Sequence, residues 1–203
     1  MKNVLRAVCG GLLSLASLNG VAADCNQDMT NRAIHLCARC HGENGKSPAA
    51  VFPSIAAQQP LYLEAQMKSY RDQTRIDPDP AAYMWGVSAL LDDATIKGLA
   101  EYYAQQPPAP GKSGPAKLVA KGKQIYESGI PAKNVIPCAQ CHGEKAEGAS
   151  IFPRLAGQHA AYLTKQLQVF RTKLRPHGVV MSGEVKNMTR DEMEAVAAYL
   201  QSL

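Results

Sequence analysis

Cys37-Ala-Arg-Cys40-His41 and Cys138-Ala-Gln-Cys141-His142 repeat one five-residue pattern about 100 residues apart. C-x-x-C-H is the pattern through which a c-type haem is attached. Each thiol adds across a vinyl group of the porphyrin, and the adjoining histidine then faces the iron as an axial ligand. The spacing has a physical reason: two intervening residues set the thiols under neighbouring porphyrin edges. Two rival chemistries use the same cysteines. A redox dithiol needs no histidine after its second cysteine and expects a strand–helix frame. A zinc ribbon brings its two pairs within roughly 15–20 residues of each other. Neither fits this chain, so covalent attachment of two c-type haems through Cys37, Cys40, Cys138 and Cys141 is expected.

His41 and His142 occupy one axial position each, and the other must come from elsewhere. Candidates in the second half are His159, His177, Met181, Met188 and Met193. Internal register separates them. Met84 and Met181 each stand seven residues before an apolar residue that precedes the last amphipathic segment of its half. Met188 matches Leu91, Met193 matches Ile96, and Met67 lies on an apolar stripe, so these three read as core. His159 matches Gln59 and His35 has no counterpart, which makes both surface residues, while His177 is the one substitute for Met181. Met84 and Met181, placed in loops before the final helices, are therefore the expected axial partners. Thioether ligation favours the ferrous state and raises the reduction potential. With both axial positions filled by protein, the chemistry expected is electron transfer.

The elements that hold these groups repeat with them. Val51-Phe-Pro53 matches Ile151-Phe-Pro153, Ile55-Ala-Ala-Gln58 matches Leu155-Ala-Gly-Gln158, and Tyr62-Leu63 matches Tyr162-Leu163. Leu63, Met67 and Tyr70, like Leu163, Leu167 and Phe170, mark one face of a helix. Ile96, Leu99, Ala100 and Tyr103 mark another, matched by Met193, Val196, Ala197 and Leu200. Thr189-x-x-Glu192 is a capping box at the start of the last helix. Between the halves, the stretch from Gln105 to Pro115 is too rich in proline and glycine to continue a helix, and predicts a fairly extended strap. The fold expected is all-α: a first helical domain over 24–106, a linker over 107–116 and a second domain over 117–203. Each half is small for a core, and a haem supplies apolar surface to wrap.

The N-terminus predicts export. Lys2 and Arg6 precede a short apolar stretch, and Val21-Ala22-Ala23 is a small-residue cleavage site, so residues 1–23 form a signal peptide that is removed. No segment approaches the roughly 18 apolar residues of a membrane span. The formal net charge is +5, and losing Lys2 and Arg6 leaves +3 with both signs interspersed. That is no footprint for nucleic acid. Cys25 is left without a haem role: a free thiol in a monomer, or a disulfide between two molecules in an oxidising compartment.

Over the whole mature chain, the sequence resembles the diheme cytochromes c of the cytochrome c4 type. The resemblance rests on both C-x-x-C-H-G motifs, both F-P-x-[IL]-A-x-Q segments with Tyr and Leu following, the two methionine registers and the closing helices. It implies tandem cytochrome c domains in the periplasm, with haems on Cys37, Cys40, Cys138 and Cys141. It also implies axial ligands at His41, Met84, His142 and Met181, with the carbonyls of Pro53 and Pro153 bonded to the histidines. The implied partners are redox proteins: membrane respiratory complexes, a terminal oxidase or a periplasmic dehydrogenase. A cytochrome subunit of a dehydrogenase complex is the alternative, and an enzyme such as a diheme peroxidase would need an open ligand position. Ala57, where the second half has Gly157, Asp77-Pro-Asp-Pro80 and Trp85 are departures from the pattern.

Overall fold

The computed structural model describes residues 16–203, with side chains from residue 27 onward. Residues 1–15 of the expected leader and the side chain of Cys25 lie outside the described residues. The described chain is helical: α1 (Ala16–His41), α2 (Pro60–Arg71), α3 (Pro78–Ser88) and α4 (Asp93–Ala104), then α5 (Ala116–Ser128), α6 (Ala139–His142), α7 (Ala160–Phe170), α8 (Val179–Val185) and α9 (Arg190–Ser202). Its β-structure, among these residues, is limited to two isolated bridges, Ile130 with Val135 and Ala149 with Phe152.

In the first half α4 packs on α1 and α2; in the second, α9 packs on α5 and α7. The predicted stripes are the buried ones. Ile96, Leu99, Ala100 and Tyr103 of α4 are buried, as are Met193, Val196, Ala197 and Leu200 of α9. Each of these helices has a start written in its sequence. The Asp92 carboxylate accepts from the Thr95 N–H at 2.7 Å. At α9 the Thr189 hydroxyl accepts from the Glu192 N–H, and the Glu192 carboxylate accepts from the Thr189 N–H at 2.7 Å, closing the capping box. Met188 and Met193 are buried and Met67 packs against the first core, in keeping with their reading as filler.

Both halves cross their first and last helices at a glycine, but the glycine has changed sides. Gly98 on α4 faces Thr30 on α1, where a Cβ would lie 2.7 Å from Oγ1. In the second half Gly122 on α5 faces α9, where a Cβ would lie 1.9 Å from the Ala195 carbonyl oxygen. Ala195 holds the register position of Gly98.

The halves differ where prolines intervene. The first C-x-x-C-H ends the long helix α1. The second sits on the short α6, cut off from α5 by Gly129, Pro131 and Pro137, none of which suits a helix interior. The strap after α4 is tied down: Lys112 N–H donates to the Gln201 carbonyl at 2.8 Å. It also passes beside Gly157, whose Cβ would lie 2.5 Å from the Ala109 carbonyl oxygen.

A quasi-symmetric polar interface joins the halves. Gln58 and Gln158 each reach the opposite chain segment, Gln59 Nε2 donates to the Glu147 carbonyl at 3.0 Å, and His159 Nε2 bonds the Ser47 carbonyl at 3.0 Å. His159 is thus part of the interface and not the surface residue expected. Deeper in, Arg75 donates to Asp77 and to Gln166, and Arg175 donates to Gln66 and Gln166, with both arginines and Asp77 buried.

Candidate functional site

Each C-x-x-C-H is positioned by the turn that ends it. Gly42 and Gly143 take φ of 77° and 84°, in the left-handed region where a glycine has no steric cost. A Cβ at Gly42 would sit 2.1 Å from the Lys46 carbonyl oxygen, so the glycine after the histidine is required by the fold. The chain then loops back and closes identically in both halves. The Gly45 carbonyl accepts from the Ile55 and Ala56 N–H groups at 2.8 and 3.0 Å, and the Ala146 carbonyl accepts from Leu155 and Ala156 at 2.8 and 3.0 Å.

That closure brings the Phe-Pro segments onto the histidines. His41 Nδ1 bonds the Pro53 carbonyl at 2.8 Å, and His142 Nδ1 bonds the Pro153 carbonyl at 3.0 Å. A carbonyl can only accept, so Nδ1 carries the proton and the Nε2 lone pair is left for a metal. Phe52 and Phe152 meet these imidazoles edge to face, at centroid distances of 6.2 and 6.3 Å. Burial lowers the pKa of both histidines, and the proline carbonyls offset it only in part, so both rings are neutral near pH 7.

The thiols are conditioned differently from those of a reactive dithiol. Burial raises Cys37 above the ordinary thiol range and pushes Cys138 up to about 11. A redox-active pair is kept in the thiolate form by a depressed pKa, the opposite trend. The four motif cysteines are unpaired. The two motifs are not brought together, and among the described residues no three His, Cys, Asp or Glu side chains gather around one point that could hold a bare ion.

The methionines lie on helices, where loops were expected. Met84 is on α3 and Met181 on α8, both half-buried, and Met181 packs against the second core. The Asp-Pro-Asp-Pro run, a departure from the family pattern, starts α3, with Asp77 at the cap and Pro78 in the first turn, where its missing N–H costs nothing. Trp85 fastens α3 by donating from Nε1 to the Arg75 carbonyl at 2.9 Å. Tyr83, beside Met84, packs edge to face on Phe52 at 6.0 Å, linking α3 to the loop that carries the His41 acceptor. His177 and His35 are exposed. Sequence reasoning passed over the Arg75 and Arg175 pair and the role of Gln58 and Gln158, although all four repeat at the same offset as the Phe-Pro segments.

A covalently held haem fits this chemistry: two unpaired thiols on one helical stretch, then a neutral imidazole with Nε2 unspent, built twice. Comparison with known proteins agrees. The cytochrome c family model matches residues 119–203. Cytochrome c-552 of Acidithiobacillus ferridurans is 40% identical over 169 residues, 82% of this chain and 73% of that protein. Cytochrome c4 of Thiocapsa roseopersicina is 36% identical over 178 residues, 85% of this chain and 89% of that protein. The crystal structure of reduced recombinant cytochrome c4 from Pseudomonas stutzeri superposes with a TM-score of 0.78 at 30% identity, covering 88% of this chain and 98% of that one. The chain belongs to the cytochrome c4-type diheme cytochromes c, electron-transfer proteins with two covalently bound c-type haems.

Proposed function

We propose that Cys37 and Cys40 attach one haem with His41 and Met84 as its axial ligands, and that Cys138 and Cys141 attach the other with His142 and Met181. In this reading residues 24–106 and 117–203 are two haem domains joined by the 107–116 linker. The protein is a carrier that works in the periplasm after loss of its leader, exchanging electrons with other redox proteins and catalysing no reaction of its own. When bound, each haem supplies a one-electron Fe(III)/Fe(II) couple.

The rest is done by the chain. The proline carbonyls fix the imidazole planes and the tautomer, so that Nε2 points one way in both redox states. The Phe52 and Phe152 rings keep water from the histidines. Met84 and Met181 are thioethers on α3 and α8, the first helix fastened by Trp85 and Met181 packed against the second core, and each would close a coordination position to exogenous ligands. The observation that carries the reading is the duplicated pairing of a neutral histidine with the proline carbonyl beside each C-x-x-C, leaving Nε2 free on both occasions. Among the described residues no helix is long and apolar enough to cross a membrane.

Stoichiometric reductive titration of the purified protein tests this. The proposal requires two electrons per chain, returned in full to an outer-sphere oxidant, with no turnover of peroxide by the reduced protein. Uptake of a single electron, or sustained peroxide consumption, would contradict it. Cell fractionation that left the protein in the cytoplasm would contradict the periplasmic assignment.

A further inference from the structure

The peptide that orients each proximal histidine is gripped from the other half of the molecule. The Pro53–Ser54 peptide accepts from His41 Nδ1 through its carbonyl, and its N–H donates to Gln158 Oε1 at 2.9 Å. Gln158 Nε2 then donates to the Ser54 carbonyl at 2.8 Å, completing a two-point clasp. The mirror arrangement holds the second site. The Pro153–Arg154 peptide accepts from His142 Nδ1, its N–H donates to Gln58 Oε1 at 2.7 Å, and Gln58 Nε2 donates to the Arg154 carbonyl at 3.0 Å. Gln58 and Gln158 are each 6% exposed. Hydrogen bonds in such surroundings are strong, and chains of them polarise one another.

We infer that Gln158 tunes the reduction potential of the first haem and Gln58 that of the second, each acting across the interface through the proximal histidine. An amide whose N–H is engaged is a better acceptor at its carbonyl. A better acceptor draws the Nδ1 proton, makes the imidazole a stronger donor at Nε2, and favours the ferric state. Each glutamine therefore lowers the potential of the haem it does not belong to. These are positioning residues, since neither touches His41 or His142. The inference rests on His41 and His142 being the proximal ligands.

The pattern tested is a crossed one, which general loosening of an interface does not produce. Redox titration followed by NMR reads each haem's reduced fraction from its own paramagnetically shifted signals. In Gln158→Leu the first haem gains about threefold in its reduced-to-oxidised ratio at fixed potential, about 28 mV at 59 mV per tenfold for one electron. The second haem stays at its wild-type value. Gln58→Leu gives the reverse, and in each variant the Nδ1 proton of the affected histidine exchanges faster with solvent. Gln158→Met and Gln58→Met, which keep length without the amide, repeat the result if the leucine variants fold poorly. Equal shifts of both haems, shifts of the glutamine's own haem, or none would overturn the inference. A wild-type protein without two histidine-ligated haems would instead overturn the ligand assignment on which it rests.

Discussion

Arg75 clasps Asp77 with two parallel hydrogen bonds, Nε to Oδ1 at 2.8 Å and Nη2 to Oδ2 at 3.0 Å, and both side chains are buried against the second half of the chain. Gln166 joins them from α7, accepting from Arg75 and donating to Asp77 at 3.3 Å. Burial alone would raise the Asp77 pKa, but the Arg75 and Gln166 contacts outweigh it and hold the carboxyl below its usual range.

That fixes the sign of an acid effect. A carboxylate with a depressed folded pKa stabilises fully above its unfolded value of about 3.9 and loses the contribution as pH falls through the folded value. The interface therefore weakens in acid below about pH 4 and is insensitive to pH between 5 and 8 as far as Asp77 is concerned. Asp77→Asn removes Asp77's share of the acid dependence and costs about 3–5 kcal/mol, because Arg75 is left buried without its counter-charge. Urea unfolding of the variant and the wild type between pH 3 and 7 checks both statements; a wild-type transition that strengthened toward pH 3 would contradict them.

The helix crossing gives a contrast between two glycines. Gly122→Ala drives a methyl into a backbone carbonyl, which cannot move aside, and destabilises by about 1–3 kcal/mol. Gly98→Ala meets the Thr30 side chain, and pairing it with Thr30→Ala restores most of the loss. Thermal melts of the three variants read the difference directly. Equal costs at Gly98 and Gly122, or no rescue by Thr30→Ala, would disprove the crossing geometry.

Ala57 takes φ of 53°, the conformation that Gly157 takes at 73°, and both N–H groups donate to the closing helix, to Tyr103 and Leu200 at 2.8 and 2.9 Å. A β-carbon in the left-handed region costs about 1–2 kcal/mol, and glycine returns part of that in unfolded-chain entropy. Ala57→Gly is expected to stabilise by about 0.5–1 kcal/mol in chemical denaturation. Gly157→Ala is expected to destabilise by more, since the strap lies against it as well. A destabilising Ala57→Gly would contradict this.

Met84→Ala and Met181→Ala each remove one thioether. Each variant keeps both haems covalently attached, halves the long-wavelength charge-transfer band of methionine-bound ferric haem, and lowers one potential. The fall exceeds about tenfold in the reduced-to-oxidised ratio of that haem, with the other unmoved. A variant that left both couples in place would show that the sulfur comes from elsewhere, His177 being the substitute to examine in the second half.

Much of this was legible in the chain because the chain says it twice. Cysteine spacing, the Phe-Pro segments and the apolar faces of α4 and α9 are local patterns whose period or spacing is set by the element itself. What escaped was non-local. His159 has a polar side chain and a polar counterpart, Gln59, which suggests surface until the halves are brought together and both prove to bond across the interface. The same holds for Arg75 and Arg175, whose partners across the interface, Gln166 and Gln66, lie about 90 to 110 residues away. A place just before the final helix suggested a loop for Met84, yet Pro78 starts a helix there, since proline suits a first helical turn. The switch from Gly98 to Gly122 at the helix crossing has no signal in either half alone.

The central claim is that this chain holds two c-type haems, each closed by a histidine and a methionine, and is a carrier. Its most direct test is the visible spectrum of the oxidised protein, followed by reduction with dithionite in the presence and absence of carbon monoxide. The account predicts a thioether–iron charge-transfer band of the intensity expected for two haems, and a reduced spectrum that carbon monoxide leaves unchanged. A band of half that intensity would show an iron without its methionine, and a reduced spectrum that shifts with carbon monoxide would show an open one; either would contradict it.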